Sequence, residues 1–270
     1  PFSKSSWRAK APLELVHTDV WGPATVPSLA GKRYFLLFID DYTRKTWVYF
    51  LEHKSEAFSH FTTFKALAEK QCGQSLKVLR SDRGGEFTSN QFHKFCKENG
   101  IKRELTVRRT PQQNGVAERK NRTIVEMARS MLQGKKLPKY LWAEAVNIAV
   151  YILNRSPTKA VRNRTPYEAW FEEKPKVDHL KIFGSIAYAH VPKENRDKLD
   201  GKGEKCIFIG YSDESKGFRL FNPITNQLVI SRDVIFDEFA TWCWENVVAD
   251  NFQKVDLVEP LSTNEGAAEN

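Results

Sequence analysis

Three carboxylates of this chain lie where they could together support a reaction at a phosphate. Asp19 falls within the first predicted strand, Asp82 closes the fourth just before a double glycine, and Glu118 opens the helix after the fifth. If the first and fourth strands are neighbours, the two aspartates converge, and the helix start can bring Glu118 to the same point. Three hard oxygen ligands suit Mg²⁺ or Mn²⁺. Two such ions can activate an attacking oxygen and stabilise the leaving oxygen in an in-line displacement at phosphorus.

Ordinary structural roles compete with that hypothesis. The chain has 33 acidic residues, so many pairs share any given spacing, and an aspartate at a strand end is usually a turn or cap residue. A carboxylate at a helix start, such as Glu118, also stabilises the helix by roughly 0.3 to 1 kcal/mol through the helix dipole. The context favours a metal site, because each of the three acids sits at an element boundary beside glycine, proline or positive charge.

Positive charge is concentrated around Glu118. The formal net charge of the chain is +9, and residues 101–140 contain eleven Lys or Arg against three acids, which gives that segment +8. Such a patch predicts a polyanionic partner, most often nucleic acid. A basic surface kept only for solubility is the alternative that charge alone leaves open.

The residues expected to contact nucleic acid surround Glu118. A loop bracketed by Pro111 and Gly115 supplies three amide side chains, and the helix after it supplies further polar and basic residues. Residues three and four positions after Glu118 share its helical face, where they can meet a phosphate beside the metals. A surface ion pair between Glu118 and Arg122, worth roughly 0.5 kcal/mol or less, is the alternative. The predicted contacts are Gln112, Gln113, Asn114, Arg119, Lys120, Asn121 and Arg122.

Several other polar residues near these acids have structural explanations that we favour. His17 is expected to be packed or bonded to a turn rather than to support a metal ligand. Asp40 and Asp41 end a buried strand, and a role in the turn at "DDYTR" suffices for them. Either Thr88 or Ser89 is expected to cap the helix that begins near residue 90.

Composition narrows the class of protein. With 41% apolar and 28% charged residues the chain is typical of globular proteins, and no segment approaches the roughly 20 apolar residues of a membrane helix. The four cysteines and six histidines lack zinc-ligand spacing, so we expect no zinc in this chain and reduced, intracellular cysteines. The chain begins with Pro1 and no signal-peptide pattern, which predicts a piece of a longer precursor rather than a secreted protein.

The order of predicted elements indicates an α/β fold followed by a small all-β unit. Three strands with short turns precede an alternation of helix and strand, which predicts a mixed five-stranded sheet flanked by helices. Later, short apolar runs separated by turn signals suit a small barrel. We therefore predict a linker arm over residues 1–12, a core over 13–175, a β-barrel over 176–238 and a flexible acidic tail over 239–270.

Three blocks of sequence resemble a known enzyme family. "HTDVWGP", "LRSDRGGEFTSNQF" and "TPQQNGVAERKNRTI" are similar to the three catalytic blocks of the DDE integrase core, and are closest to the copia-type retrotransposon integrases. The 35 residues between Asp82 and Glu118 match the DD35E spacing of those integrases. The resemblance implies a ribonuclease H-like core in which Asp19, Asp82 and Glu118 hold two Mg²⁺ or Mn²⁺ ions. The segment "EKCIFIGYSDESKGFRLFNPITNQLVISRDVIFDE" resembles the SH3-like barrel that follows the core in copia-type polyproteins.

The resemblance also implies a reaction and partners. A DDE integrase is a polynucleotidyl transferase that joins the 3′-hydroxyl ends of linear retroelement cDNA to target DNA. The implied partners are donor cDNA ends, target DNA and further copies of the chain on the DNA, without a membrane. The implied location is intracellular, first a cytoplasmic virus-like particle and then the nucleus. Two alternatives stay open, a metal-dependent nuclease of the same fold and a catalytically silent, domesticated DNA-binding protein.

Overall fold

The first sheet carries the aspartates at adjacent strand ends. The computed structural model describes residues 7–106, 114–191, 201–212 and 215–244. A five-stranded sheet has the order β3-β2-β1-β4-β5, with antiparallel pairing from β1 to β3 and parallel pairing of β1 with β4 and of β4 with β5. The mixed five-stranded sheet predicted from sequence is thus confirmed. Its strands are β1 (Val16–Trp21), β2 (Tyr34–Asp40), β3 (Thr46–Leu51), β4 (Val78–Ser81) and β5 (Lys102–Leu105).

The centre of this sheet is dictated by its sequence. β2, "YFLLFID", is apolar throughout and buried on both faces, as a central strand must be. β1 lies between β2 and β4, with Val16 opposite Leu79 in the parallel pair. Parallel neighbours end at the same edge of a sheet. Asp19 near the end of β1 and Asp82 immediately after β4 are therefore brought to the same edge.

Helices cover both faces of the sheet. On one face α1 buries Phe61 and Phe64, and Phe64 stacks on Phe38 of β2 with ring centroids 4.1 Å apart. On the other face α3 and α4 pack over Phe35 and Leu37 of the same strand, because alternate residues of a strand point to opposite faces. The helices are α1 (Ala57–Cys72), α2 (Asn90–Glu98), α3 (Gly115–Gly134), α4 (Trp142–Arg155) and α5 (Pro166–Phe171).

The second sheet is a rolled antiparallel one, as predicted. Its order is β10-β6-β7-β8-β9. β9 and β10 lie at opposite edges, yet only residues 232–233 separate them in the chain. A link that short can join opposite edges only if the sheet curls back on itself, which is the geometry of a small barrel. The strands are β6 (Ile186–His190), β7 (Gly203–Tyr211), β8 (Phe218–Asn222), β9 (Gln227–Ser231) and β10 (Val234–Asp237).

Helix α4 joins the two sheets into one hydrophobic core. Its apolar residues contact the first sheet, while Ile186 and Ile207 of the second sheet belong to the same buried cluster. Tyr151 of α4 stacks on Tyr211 with ring centroids 4.6 Å apart. This explains why α4, with apolar residues around most of its circumference, is stable inside the protein.

A buried ion pair also joins α4 to the second sheet, and its removal should be costly. An Arg219 Nη atom lies 3.1 Å from Glu144 Oε1, and both side chains are buried. Burial raises the pKa of Glu144, and the charge of Arg219 opposes that rise. We expect Arg219→Met to lower the free energy of unfolding by about 3 kcal/mol, because it leaves a buried carboxylate without a partner.

The double variant Glu144→Leu with Arg219→Met is the control for that prediction. It removes both charges, so it should recover most of the stability that Arg219→Met loses. Urea denaturation at pH 7 measures both free energies of unfolding. An equal loss in the single and double variants would show that packing, rather than the unpaired charge, carries the effect.

The end of the predicted linker arm is attached to the core. The N–H of Ala9 donates to Asp41 Oδ2 at 2.9 Å, and Ala9 is itself buried. The guanidinium of Arg8 donates to the carbonyl oxygen of Ala160. Residues 8 and 9 therefore pack with the core, although the division of the chain at residue 12 stays a proposal.

The start of the predicted tail is packed as well. Lys135 donates through Nζ to the carbonyl oxygens of Glu238 and Ala240, at 2.5 and 3.2 Å. Trp242 is buried in the core that contains α4, and Trp244 packs against the same cluster. The chain is thus held against the protein as far as residue 244. Residues 245–270 lie outside the described part of the chain.

The structural roles favoured for the nearby polar residues are confirmed. His17 is buried, with Nε2 3.0 Å from Asp41 Oδ1. Asp40 accepts hydrogen bonds from the backbone N–H groups of Leu13 and Thr43, so it fixes the turn after β2. Ser89 caps α2 by accepting from the N–H of Phe92.

Over the parts of the chain that the structure describes, none of the helices combines the length and the apolar composition needed to cross a bilayer.

Candidate catalytic carboxylates and nucleic-acid surface

Asp19 and Asp82 meet at one edge of the first sheet. Both side chains are half-buried. Asp82 follows β4 directly, and its Oδ1 accepts from the N–H of Gly84 at 2.9 Å, which fixes the carboxylate at the start of the glycine turn. Asp19 has its own restraint, because Nδ2 of Asn121 donates to its Oδ2 at 2.8 Å. The two carboxylates are thus positioned by the ends of neighbouring parallel strands.

The environment of Asp19 disfavours its charged form. Its pKa is raised from 3.8 to about 7, first because burial removes water and second because Asp82 repels a second negative charge. The hydrogen bond from Asn121 lowers the pKa, and Glu118 adds a smaller repulsion that raises it. Such a carboxylate gains from a neighbouring cation, because a cation offsets both the lost hydration and the repulsion.

Glu118 lines the same open groove as Asp19. The groove has a volume of about 570 Å³ and is lined by the end of β1, by Gly22-Pro23 and by one face of α3. Gly22 has a φ of +127°, and a Cβ there would lie 2.7 Å from the carbonyl oxygen of Arg33, so only glycine fits this wall. Glu118 is exposed in this groove and makes no ion pair with Arg122 within the described residues. The surface ion pair considered from the sequence is therefore not formed.

The three carboxylates are spread rather than closed around one point. Among the residues described, no group of three His, Cys, Asp or Glu side chains is close enough to hold a metal ion. Asp19 nevertheless feels the charges of both Asp82 and Glu118.

Two of the predicted nucleic-acid contacts are buried inside the protein. Asn114 is only 2% exposed, and its Nδ2 donates to the carbonyl oxygen of Thr18 at 3.4 Å. Asn121 is 6% exposed and bonded to Asp19. In this structure both amides therefore fasten the start of α3 to β1 instead of lying on the surface. Gln112 and Gln113 lie outside the described residues.

The three basic residues of this helix are placed differently from one another. Arg122 is exposed and lines the groove beside Glu118. Arg119 is exposed and folds back over Gly115, where a Cβ would lie 3.2 Å from its guanidinium. Lys120 is half-buried, and burial followed by the charge of Arg44 lowers its pKa to about 8. Only Arg122 of the three faces the carboxylates from the groove wall.

Sequence reasoning missed one cation of this groove. Arg129 is exposed and lines the groove with Arg122. It follows Glu118 by eleven residues, which is just over three full turns of an α-helix, so helical spacing contained the signal. The positive wall of the groove is therefore longer than the sequence suggested.

Comparison with known proteins identifies the class. Residues 9–111 match the family model described as an integrase core domain, which includes Asp19 and Asp82 and ends before Glu118. Residues 185–250 match the model described as a retroviral polymerase SH3-like domain. The chain therefore combines an integrase core with a retroviral SH3-like domain, in that order. Integrases are polynucleotidyl transferases, so the site belongs to an enzyme family of that kind.

Relatives narrow the family to retrotransposons. The chain is 51% identical over 237 residues to a retrovirus-related Pol polyprotein from transposon TNT 1-94 of Nicotiana tabacum, and this covers 88% of the chain and 18% of the relative. It is 37% identical over 238 residues to the Pol polyprotein from transposon RE2 of Arabidopsis thaliana, covering 88% and 16%. The chain thus spans less than a fifth of the length of these relatives. It belongs to the integrases of copia-type retrotransposon Pol polyproteins.

A solved structure supports the fold. A chain of the simian T-cell lymphotropic virus intasome, solved in complex with the PP2A regulatory subunit B56 gamma, superposes with a TM-score of 0.50. The match has 14% sequence identity and covers 84% of this chain and 80% of that chain. At that identity the likeness establishes the shared fold of core and barrel.

Proposed function

We propose that this chain joins the 3′-hydroxyl ends of linear retroelement cDNA to target DNA. One observation carries the proposal: Asp19 and Asp82 stand at adjacent ends of β1 and β4, and Glu118 lines the same groove as Asp19. In the reaction, the 3′-hydroxyl oxygen forms a bond to a target phosphorus, and the bond from that phosphorus to the target's 3′ oxygen breaks. One phosphodiester replaces another, so neither ATP nor a covalent enzyme intermediate is needed.

The donor set fits a hard divalent cation. Asp19, Asp82 and Glu118 offer only carboxylate oxygens, which Mg²⁺ and Mn²⁺ prefer, and the raised pKa of Asp19 shows that negative charge there lacks compensation. When two such ions are bound, they activate the attacking hydroxyl and stabilise the leaving oxygen. We assign these three residues as the metal ligands and the catalytic residues.

The other residues of the site position these groups. Asn121 keeps one oxygen of Asp19 hydrogen-bonded, which orients the carboxylate and favours its charged form. The N–H of Gly84 does the same for Asp82. Arg122 and Arg129 line the groove and can bind the phosphates of the DNA backbone, which positions the scissile bond.

The proposed DNA partners require more than one copy of the chain. Both ends of the donor cDNA must be joined for integration, so we propose a multimer assembled on the DNA. The structurally similar chain belongs to a viral intasome, and the charge of +9 favours binding to DNA.

One assay tests the function. The chain is incubated with Mn²⁺ or Mg²⁺, a labelled oligonucleotide duplex with a free 3′-hydroxyl and a supercoiled plasmid. We expect label to become covalently attached to plasmid, since joining is the proposed reaction. Cleavage of DNA without joining would instead establish a nuclease, and retained binding with neither product would establish a silent DNA-binding protein.

A further inference from the structure

A second groove lies beside the residues predicted as a linker arm. This arm groove has a volume of about 1070 Å³ and is lined by residues 8–12, Tyr42, the end of α1, residues 160–164 and the end of α5. None of the three carboxylates discussed above lines it. It is therefore a separate surface of the protein, larger than the groove that contains Asp19.

The arm groove is strongly positive. Among the described residues, Arg8, Lys10, Arg162 and Arg164 line it, against a single acid, Glu172. All four cations are exposed, and none forms an ion pair with a carboxylate of the described residues. Four exposed cations with no acidic partner create a positive potential that attracts a polyanion. Solubility alone does not require the cations to be clustered in this way.

The walls of the arm groove are held in place. Arg8 donates to the carbonyl oxygen of Ala160, which ties the arm to the opposite wall, and the N–H of Ala9 donates to Asp41. Between the walls, Tyr42 presents an aromatic ring that is 41% exposed. The cations therefore stand on a fixed framework, so a ligand does not need to assemble the groove before it binds.

The cations of the arm groove lie near those at the start of α3. Arg44, in the turn between β2 and β3, is half-buried and paired with Asp41 at 3.1 Å, so it is not itself a free cation. It nevertheless feels the charges of both Arg8, in the arm groove, and Arg119, next to Glu118. An anion that contacts both Arg8 and Arg119 must be extended, which fits a nucleic-acid backbone better than a single anion.

We propose that the arm groove binds the phosphate backbone of duplex DNA and holds a segment of it that extends away from the three carboxylates. The proposal rests on the proposed function, since it supplies a second contact for the DNA on which that site acts. Arg162 and Arg164 are the residues that test it best, because they are exposed and lie on one loop, which Arg8 contacts at Ala160.

The test measures binding without chemistry. Fluorescence anisotropy with a labelled 30-base-pair duplex in EDTA gives Kd over a series of salt concentrations for the full chain. We expect Arg162→Gln with Arg164→Gln to raise Kd roughly tenfold, and to make the slope of log Kd against log[salt] shallower by about 2, since each lost phosphate contact removes about 0.9. Lys94→Gln with Lys97→Gln is the matched control, because it removes two exposed cations from α2. That control should bind as the unmodified protein does.

A crosslink gives a second readout. Tyr42→p-benzoylphenylalanine should attach to the duplex on irradiation, because its side chain lies exposed between the groove walls. Binding of polyglutamate, an acidic peptide, is measured in parallel. Equal Kd values of the two double variants for the duplex would overturn the proposal. So would an Arg162→Gln, Arg164→Gln variant that loses binding to polyglutamate but not to the duplex. The second outcome would assign the groove to an acidic peptide. Because EDTA removes all metal chemistry, a failure here is separate from a failure of the joining reaction.

Discussion

Glu118→Gln should reduce the joining of a 3′-hydroxyl end to plasmid by roughly a thousandfold or more. The change keeps the size of the side chain and removes one negative charge that the metals need. Glu118 is exposed and makes no ion pair within the described residues, so the fold has little to lose from the substitution. Product formation over time with Mn²⁺ measures the effect, and thermal unfolding shows that the variant remains folded.

Glu126→Gln is the matched control for that result. Glu126 is exposed on the same helix and lies about 12 Å further along α3 than Glu118, at a rise of 1.5 Å per residue. Its replacement removes the same charge from the same groove, and we expect rates within about twofold of the unmodified protein. Equal losses in both variants would mean that overall charge in the groove, rather than a metal ligand at position 118, supports the reaction.

Asp19→Asn should abolish joining and at the same time stabilise the metal-free protein. The pKa of Asp19 is raised from 3.8 to about 7 by burial and by the charge of Asp82. The folded state therefore holds a proton that the unfolded state releases, and the stability of the unmodified protein falls as pH rises from about 4 to about 7. At pH 8 the variant should be more stable by roughly 2 to 4 kcal/mol, since each unit of pKa corresponds to about 1.4 kcal/mol.

The pH dependence separates this charge effect from packing. At pH 4 the unmodified protein and Asp19→Asn should have similar free energies of unfolding, because the carboxyl group is then protonated in the folded state. The hydrogen bond from Asn121 can be kept by the new amide oxygen. Urea denaturation in EDTA at several pH values measures the difference, and a gap that does not change with pH would contradict the explanation.

Asp41 provides a control of opposite sign. Burial acts to raise its pKa, but the hydrogen bonds from His17 and from the N–H of Ala9 outweigh it and lower the pKa to about 2. Its stabilising effect is present above the pKa of the unfolded state and is lost as pH falls towards 2. Asp41→Asn should therefore reduce stability at neutral pH, whereas Asp19→Asn increases it.

Addition of Mn²⁺ should stabilise the unmodified protein more than the Asp19→Asn variant, because binding to the folded state adds free energy of unfolding.

Much of the fold could be predicted because its signals are local. The apolar run of β2, the alternation in β1 and β3, and the glycines after Asp82 each lie within a few residues and specify one element. The short link between β9 and β10 likewise implies a rolled sheet once the strand order is known. Trp242 shows the limit of this reasoning, because a tryptophan in an acidic, aperiodic segment gives no local sign of packing against α4.

The candidate site likewise has one part that the sequence predicted and another that only the tertiary structure shows. Helical spacing placed Asn121 on the face of Glu118, but its hydrogen bond to Asp19 depends on how α3 crosses β1. The burial of Asn114 against Thr18 has the same origin. Both residues were expected to contact nucleic acid. The sequence could not reveal their burial, because exposure depends on neighbours that are distant in the chain.

The sequence by itself determined the kinds of elements and their order, the acids at their boundaries and the basic segment around Glu118. These follow from residue preferences and charges that act over a few positions. Only the tertiary structure decided that β1 and β4 are neighbours, that Asp19 loses enough water to resist ionisation, and that α4 serves both sheets. Strand pairing and desolvation are sums over residues brought together from distant parts of the chain, so no local stretch can specify them.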